Sequence, residues 1–358
     1  MRYTVDITGG VMSLLTSLIS HQIWLQRNAS SEVKDLTPFI QEMRDEIKRQ
    51  VLLFGDDGRS TARLNKLLRD LEEALTGLTR DWQTKLTEDL KELAAYEAEW
   101  NVKTLTANVN AEFVTPTAEQ VWSAAVFQPL ALNDKPVDFT KLMEGWGETE
   151  VSRLVTGVKM GFVQGQTTRQ IIKSVVGSGG LSDKSANNAA VIIRTALSHV
   201  SNEARNETYR QNSDIIEKYE WVSTLDSRTS TICKARDGMT WEIGKGPMPP
   251  AHPNCRSTTA PVISSEFDFL DAGAKRAAKG ADGGTQVSAD TTYYEFLKQQ
   301  PAWFQDQALG PVRGKIFRNS GISPEEFRVI SVDGFGNPLT LKQMAELDKR
   351  VADYLKGD

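Results

Sequence analysis

A run of leucines spaced three and four residues apart dominates the first third of the chain. Between Leu64 and Leu93 the mean spacing of apolar positions is close to 3.6, the period of one face of an α-helix. We expect this helix to run from Thr61 to about Asn108. The pattern predicts one helix roughly 70 Å long at about 1.5 Å per residue, longer than most globular domains are wide. The apolar positions are Leu64, Leu68, Leu71, Leu75, Leu78, Trp82, Leu86, Leu90 and Leu93.

A second helix is predicted before this rod, from about Ser31 to Phe54. The segment FGDDGRS separates the two, and its glycines and aspartates suit a turn between antiparallel helices. A helix of this length must bury its apolar face against another helix or another protein. The two helices therefore form either a hairpin within the chain or an arm that packs on a partner or sister subunit.

The middle of the chain combines helical and strand patterns. Helices are predicted from Thr140 to about Gln164, over GQTTRQIIKSVVG with a threonine N-cap, and over a long segment capped by Ser182 or Asp183. The apolar stripe of the long helix consists of Ile193, Leu197, Val200 and Ala204. This stripe predicts that His199 lies on a different face, together with Asn202.

Strand patterns follow the long helix. The segment IEKYEWVSTLD predicts a strand, and the Asp-Gly pair of RDGMTWEI favours a hairpin. We therefore expect a small irregular β unit between Cys233 and Cys255, packed on a helix.

The remaining segments set the predicted domain boundaries. Three prolines predict a linker that Trp122, Phe127 and Phe139 hold against the second body, and a Gly/Ala-rich charged stretch predicts a flexible loop. Helical spacing returns near the end, where a last helix begins near Thr340. The predicted fold is α+β and mostly helical: an N-terminal helical arm at 1–115, a linker at 116–139, an α+β body at 140–265, a flexible loop at 266–290 and a helical C-terminal extension at 291–358.

Charge narrows the classes of partner. With 42 Lys+Arg against 47 Asp+Glu the net charge is −5, so the chain has no global attraction to nucleic acid. Residues 31–100 hold 16 acidic and 11 basic side chains, which makes the predicted arm a poor DNA binder. Contact with DNA would depend on the short basic segments KSVVGSGG, AKRAAKG and PVRGKIFR.

The apolar run from Val11 to Leu25 is the one candidate for a targeting segment. It spans about 15 residues, whereas a membrane helix needs about 20. It also lacks a convincing signal-peptide cleavage site. We expect a packing helix and no membrane partner.

Cys233, His252 and Cys255 form the pattern C-x18-H-x2-C. The H-x2-C pair presents two soft ligands in one turn, and a third ligand from a neighbouring hairpin gives three corners of a tetrahedral zinc site. Asp226 is the first candidate for the fourth ligand, and His199 and Asp237 are alternatives. We expect any zinc here to be structural and not catalytic.

Other interpretations of these residues are open. Cys233 can be a buried hydrophobe, and His252 can fix the PPAHPN loop by a hydrogen bond. The two cysteines, the only ones in the chain, can pair in a disulfide but cannot make a disulfide framework. The same residues can also form a nucleophilic pair, in which one cysteine attacks and His252 acts as the base. No orienting group or oxyanion feature accompanies such a pair in the sequence.

The order of features in residues 219–262 is more specific than any one of them. A tryptophan before a strand is followed by Asp-x-Arg-Thr, a cysteine, Asp-Gly and Pro-x-His-Pro-x-Cys-Arg. This order resembles the phage head morphogenesis family, the minor head proteins typified by bacteriophage Mu protein F. The segment IIRTALSHVSNEARNETY is similar to the family's helix, and the likeness extends over roughly 140–350. Many members carry glutamate near RTALSHV, so no polar role transfers to Ala196, and His199 is peculiar to this chain.

The resemblance implies a virion component present in few copies and incorporated near the portal during procapsid assembly. Its implied partners are the portal protein, the major capsid or scaffold protein and packaged DNA. The implied locations are the phage head and, during assembly, the host cytoplasm. Metal binding through the Cys and His positions is also implied.

Two other functions compete with this one. A metal-dependent hydrolase or a host-delivered effector carried in the head would be catalytic, whereas the head-protein hypothesis predicts no enzyme. A portal-binding chaperone would be absent from virions.

Overall fold

The computed structural model describes residues 13–56, 60–109, 111–133, 135–263, 274–334 and 336–357. Over these ranges the fold is mostly helical with three small antiparallel sheets, which confirms the α+β class. The helices are α1 Leu14–Asp35, α2 Thr37–Phe54, α3 Thr61–Asn108, α4 Ala118–Phe127, α5 Phe139–Val163, α6 Thr168–Val176, α7 Leu181–Gln211, α8 Thr231–Arg236, α9 Tyr293–Lys298, α10 Ala302–Leu309, α11 Pro311–Asn319, α12 Pro324–Ser331, α13 Leu341–Leu347 and α14 Lys349–Gly357. The strands are β1 Leu130–Leu132, β2 Lys135–Val137, β3 Ile216–Val222, β4 Thr240–Glu242, β5 Thr258–Ile263, β6 Lys275–Gly280 and β7 Gly283–Ser288.

Helix α3 spans the range that the leucine pattern predicts. Ser60 caps its first turn, where the side-chain oxygen accepts the backbone N–H of Arg63. Its apolar stripe packs on α2, α4, α5 and α7 of the same chain, which corresponds to the intramolecular arrangement. The predicted positions that are buried are Leu71, Leu75, Trp82, Leu86, Leu90 and Leu93. Leu64, Leu68 and Leu78 are only partly buried, and Leu67 is buried in the first turns instead.

One hydrophobic core extends from α1 to α7. It joins Leu25 of α1, Leu90 of α3 and Val200 of α7 in a single cluster. The core thus includes residues on both sides of the boundaries predicted at residues 115 and 139.

Helix α7 is the central element of the fold, and the prediction of its cap was wrong. Its N-cap is Gly180, without a side-chain hydrogen bond. Asp183 instead accepts the backbone N–H of Gly179 at 2.7 Å and pairs with Arg44 of α2, so it stabilises the preceding turn and joins two helices.

The predicted linker contains ordered structure. Thr117 and Gln120 form a capping box at the start of α4, and β1 pairs with β2. Phe139 is buried and Trp122 is partly buried, as expected for a docked segment. Phe127 is an exception: its side chain is 82% exposed at the end of α4.

The sheet near the cysteines has the order β4-β3-β5. The Asp-Gly pair does not form a two-residue hairpin, because α8 lies between β3 and β4. Asp237 is the C-cap of α8, and Gly238 adopts φ +77°, a conformation that glycine accepts readily.

The prediction of a flexible loop at 266–290 was wrong for the hairpin β6–β7; residues 266–273 of the prediction lie outside the described residues. Arg276 of β6 is 2% exposed, and its guanidinium contacts both carboxylate oxygens of Asp237 at 2.9 and 3.0 Å. It also donates to the backbone oxygen of Ser223 at 2.6 Å. This buried ion pair joins the hairpin to the sheet, a tertiary contact that composition does not reveal.

Replacing Arg276 with methionine is expected to destabilise the protein by about 3–5 kcal/mol, because Asp237 would stay buried without its cation. Chemical denaturation measures the loss. The matched control is Arg350→Met, which removes the half-exposed pairs with Glu326 and Asp348 and should lower the stability far less. Equal losses in the two variants would show that the buried pair does not hold the hairpin.

The C-terminal helices form a second core around Tyr294, Phe317 and Phe327. Tyr293 connects this core to the sheet region by donating its hydroxyl to the backbone oxygen of Asp226 at 2.7 Å. Thr340 caps α13, as predicted for the start of the last helix, but a new helix, α14, begins after Asp348.

Candidate metal centre

Cys233 lies in the first turn of α8. Ser230 caps this helix, and its hydroxyl accepts the backbone N–H of Cys233 at 3.4 Å. Ser223, just after β3, donates its hydroxyl to the Cys233 carbonyl at 2.8 Å. The capped helix and the strand end together fix the position of this thiol.

The His252–Cys255 turn brings the other two side chains to the same point. The Cys255 N–H donates to the His252 carbonyl at 3.1 Å, and Asn254 adopts φ +58° between them. The Asn254 N–H donates to the hydroxyl of Thr195 on α7 at 3.1 Å. The turn is therefore anchored on the central helix.

The three predicted ligands come together, with all their ligand atoms within 4.8 Å of one another. The Cys233 sulfur lies 3.3 Å from His252 Nε2 and 3.7 Å from the Cys255 sulfur. Tetrahedral zinc with ordinary bond lengths gives ligand separations of about 3.6 Å for S···N and about 3.8 Å for S···S. The cluster is close enough to hold a metal ion, and both cysteines are free thiols.

The histidine is oriented for metal binding. His252 Nδ1 lies 2.9 Å from the Pro253 carbonyl oxygen. Because a carbonyl oxygen can only accept a hydrogen bond, Nδ1 carries the ring hydrogen and donates it. Nε2 then keeps its lone pair and faces the cysteines. An outer hydrogen bond of this kind fixes the tautomer of most metal-bound histidines.

Electrostatic coupling favours one thiolate in the cluster. Burial alone raises the pKa of Cys255, but the adjacent Cys233 and His252 side chains outweigh burial and bring this pKa well below its usual value. Burial and the neighbouring Cys255 both raise the pKa of Cys233. Burial lowers the pKa of His252, and its contact with Cys255 outweighs this and raises it.

The structure does not bring the predicted fourth ligand, Asp226, to the cluster. Arg256 binds the Asp226 carboxylate through two nitrogens at 2.6 and 2.8 Å, and the Arg228 N–H donates to it at 2.9 Å. The carboxylate is therefore committed to a salt bridge that links the strand end to the segment after Cys255.

The two alternative fourth ligands are also committed elsewhere. His199 Nε2 donates to the Ala125 carbonyl at 2.8 Å, and the ring packs on Phe139. Asp237 pairs with Arg276. Within the described ranges, Cys233, His252 and Cys255 are the only group of three or more His, Cys, Asp or Glu placed to hold a metal.

His199 is buried even though it lies outside the apolar stripe of α7, because α7 is surrounded by α3, α4 and α5. Sequence reasoning missed the ion pairs that flank the cluster, Asp226–Arg256 and Asp237–Arg276. The sequence does contain an indication of the first pair, because Asp226 belongs to Asp-x-Arg-Thr and Arg256 to Cys-Arg, two elements of the same motif.

His199 is expected to make the protein less stable as the pH falls from 6.5 to 4. Burial lowers the pKa of His199 to about 4 from 6.5, and its hydrogen bond to Ala125 opposes this. The folded state keeps the ring neutral while the unfolded chain binds a proton, so the contribution is full above pH 6.5 and is lost below it. Chemical denaturation at pH 7 and at pH 4.5 measures the free energy of unfolding. Between these two pH values it should fall by up to about 3 kcal/mol more in the wild type than in His199→Gln. Equal losses would contradict this assignment.

Residues 153–260 match the family model described as Phage Mu protein F like protein. This segment, less than a third of the chain, contains α6, α7, the three-stranded sheet up to β5 and all three cluster residues. The match confirms the resemblance seen in the sequence, and the family points to phage head morphogenesis. No curated protein and no solved structure matches the chain.

Among the described residues, no helix is long and apolar enough to cross a membrane. The run from Val11 to Leu25 contributes α1 from Leu14 onward, whose residues Leu14, Leu18 and Leu25 are buried against the rest of the protein.

Proposed function

We propose that this chain is a minor head protein of a tailed bacteriophage, incorporated in few copies near the portal during head assembly. The family match over residues 153–260 carries the proposal. This segment includes both the central helix and the cysteine-histidine cluster.

In this proposal Cys233, His252 and Cys255 hold a structural zinc ion. Zinc would cross-link α8 to the turn at residues 252–255, two elements that have few backbone hydrogen bonds of their own. Both sulfurs are nearly inaccessible, with Cys233 2% and Cys255 4% exposed. Such burial supports a structural role over nucleophilic or hydrolytic chemistry, so we propose no enzymatic activity.

We propose the portal protein and the major capsid or scaffold protein as the main partners. Two of the three basic segments suggested for DNA are partly neutralised within the fold. Arg276 pairs with Asp237, and Arg318 pairs with Asp306 at 2.7 Å. Packaged DNA is then a secondary partner, reached through the remaining exposed lysines. The proposed locations are the virion head and, during assembly, the host cytoplasm.

Quantitative mass spectrometry of purified virions tests this function. The proposal predicts a few copies of the chain per mature particle, at a fixed ratio to the portal protein. Detection of the chain in infected cells and in procapsids, but never in virions, would favour a portal-binding chaperone and overturn the proposal.

A further inference from the structure

A cavity of about 610 Å³ lies between α1, the chain that follows β3, and the hairpin β6–β7. Helix α1 contributes Ile19 and Ile23, and the strand end contributes Val222 and Leu225. The volume is in the range of sites that bind ligands, which are concave and mostly apolar with a few polar groups. The cavity is separate from the cysteine-histidine cluster.

Within the part of the chain that the structure describes, the charged side chains that line this cavity are all basic: Arg27, Arg256, Arg276 and Lys279. This is unusual for a chain with a net charge of −5. Arg256 and Arg276 are neutralised by Asp226 and Asp237. Arg27 and Lys279 are exposed, and no acidic side chain of the described ranges pairs with either. The mouth of the cavity therefore keeps two uncompensated positive charges.

An unpaired acceptor lies in the same wall. Gln22 of α1 is 7% exposed, and its side-chain amide donates to the Arg256 carbonyl at 3.4 Å. Its Oε1 atom is buried and has no hydrogen-bond partner among the described atoms. Buried polar atoms without a partner are uncommon in native proteins. A backbone N–H from a bound segment would supply the missing donor.

We propose that this cavity, the α1–hairpin cavity, is the docking site for an extended segment of another head protein that carries acidic side chains beside apolar ones. The apolar side chains pack on Ile19 and Ile23, and the carboxylates meet Arg27 and Lys279. The identity of the partner rests on the proposed function.

A polypeptide fits the cavity better than DNA does. Among the described residues, the lining contains no aromatic side chain on which a base could stack. Two free cations are also few beside the six to ten phosphate contacts, roughly, of an ordinary DNA-binding protein. The apolar walls of the cavity would also offer a phosphate backbone neither hydrogen-bond donors nor positive charge.

Complementation of a phage that lacks this gene tests the proposal in particles. The test variant is Arg27→Glu/Lys279→Glu, and the matched control is Lys66→Glu/Lys342→Glu, which reverses two exposed lysines outside the cavity. Copies of the test variant per virion should fall at least about tenfold while control copies stay at the wild-type level. Thermal melting of both variants should match the wild type.

Wild-type incorporation of the test variant, or an equal fall in the control, would overturn the docking site and leave the head-protein function intact. Absence of the wild-type chain from virions would instead overturn the function on which the docking site rests. The two failures are therefore distinguishable.

Fluorescence anisotropy with the purified full chain identifies the occupant. The probes are peptides of about 15 residues tiled across the portal and major capsid proteins of the same phage. Peptides that carry Asp or Glu beside apolar residues should bind the wild type and should not bind the test variant. When the acidic residues of such a peptide are replaced with lysine, the peptide should bind the test variant. Two other results would overturn the proposal: no tiled peptide binding while a 20-bp duplex binds through Arg27 and Lys279, or a dimer of this chain that the test variant abolishes.

Discussion

Replacing Cys255 with serine is expected to lower the melting temperature of this protein by more than about 10 °C. Structural zinc contributes about 10–16 kcal/mol of apparent binding energy in small zinc-binding peptides, and that energy stabilises only the folded state. Serine keeps the size of the side chain and removes the thiolate. A chain of 358 residues has an unfolding entropy of about 0.75 kcal/mol per kelvin, so losing about 8 kcal/mol of this contribution lowers the melting temperature by roughly 10 °C.

Differential scanning fluorimetry with and without a chelator measures this effect. The chelator should bring the wild type to the melting temperature of Cys255→Ser and leave the variant unchanged. If the variant melts within about 2 °C of the wild type, and the chelator moves neither, the cluster does not stabilise the fold through a metal.

Replacing Glu97 with alanine is the second change for which we expect a large loss, about 3–5 kcal/mol. Glu97 of α3 is fully buried, and its carboxylate accepts hydrogen bonds from His21 Nε2 at 2.6 Å and from the Ser201 hydroxyl at 2.8 Å. Arg205 of α7, also fully buried, lies 3.9 Å from the same carboxylate. Removing Glu97 would leave this guanidinium without its anion and would remove the hydrogen bond that joins His21 of α1 to α3.

The Glu97 contribution should depend on pH in one direction. Burial alone raises the pKa of Glu97, but His21 and Arg205 outweigh burial and hold it below the usual 4.5. The stabilisation is therefore present above pH 4.5 and is lost as the pH falls through the lower, folded pKa. The difference between wild type and Glu97→Ala should narrow below pH 4.5.

Chemical denaturation checks both statements, with Glu99→Ala as the matched control. Glu99 lies two residues further along the same helix. Its side chain is 66% exposed, and its carboxylate pairs with Lys103. Its loss should cost at most about 0.5 kcal/mol. A Glu97 variant as stable as the Glu99 variant would show that the buried network contributes no net stability.

Local pattern predicted the helices well where one face decides the structure. Helix α3 has a sustained leucine repeat and a serine cap, and both its ends match the prediction. Helix α7 shows the limit of this argument, because neighbours on several sides bury polar residues such as His199 and Asn202. A helix surrounded in this way has no polar face from which a periodicity argument can work.

Tertiary charge pairing explains most of what the sequence alone did not yield. The prediction of a flexible loop at 266–290 rested on glycine, alanine and charge, yet Arg276 is buried against Asp237, which lies 39 positions away in the sequence. The Asp-Gly pair was interpreted as a hairpin turn, yet it ends α8. Both outcomes depend on contacts between distant segments.

The candidate site was predicted in part. The spacing of His252 and Cys255, with Cys233 upstream, predicted a group that the structure does bring together. Asp226 was chosen as the fourth ligand for its nearness in sequence, and the structure places it with Arg256 instead. Sequence distance gives no information on which cation a carboxylate meets, so this choice had no physical support beyond residue type.

Elemental mass spectrometry of protein purified without chelator tests the central claim most directly. Wild-type protein and Asp226→Asn should each contain about one zinc ion per chain, and Cys255→Ser should contain none. Zinc-free wild-type protein would contradict the metal centre and leave Cys233, His252 and Cys255 as a hydrogen-bonded turn.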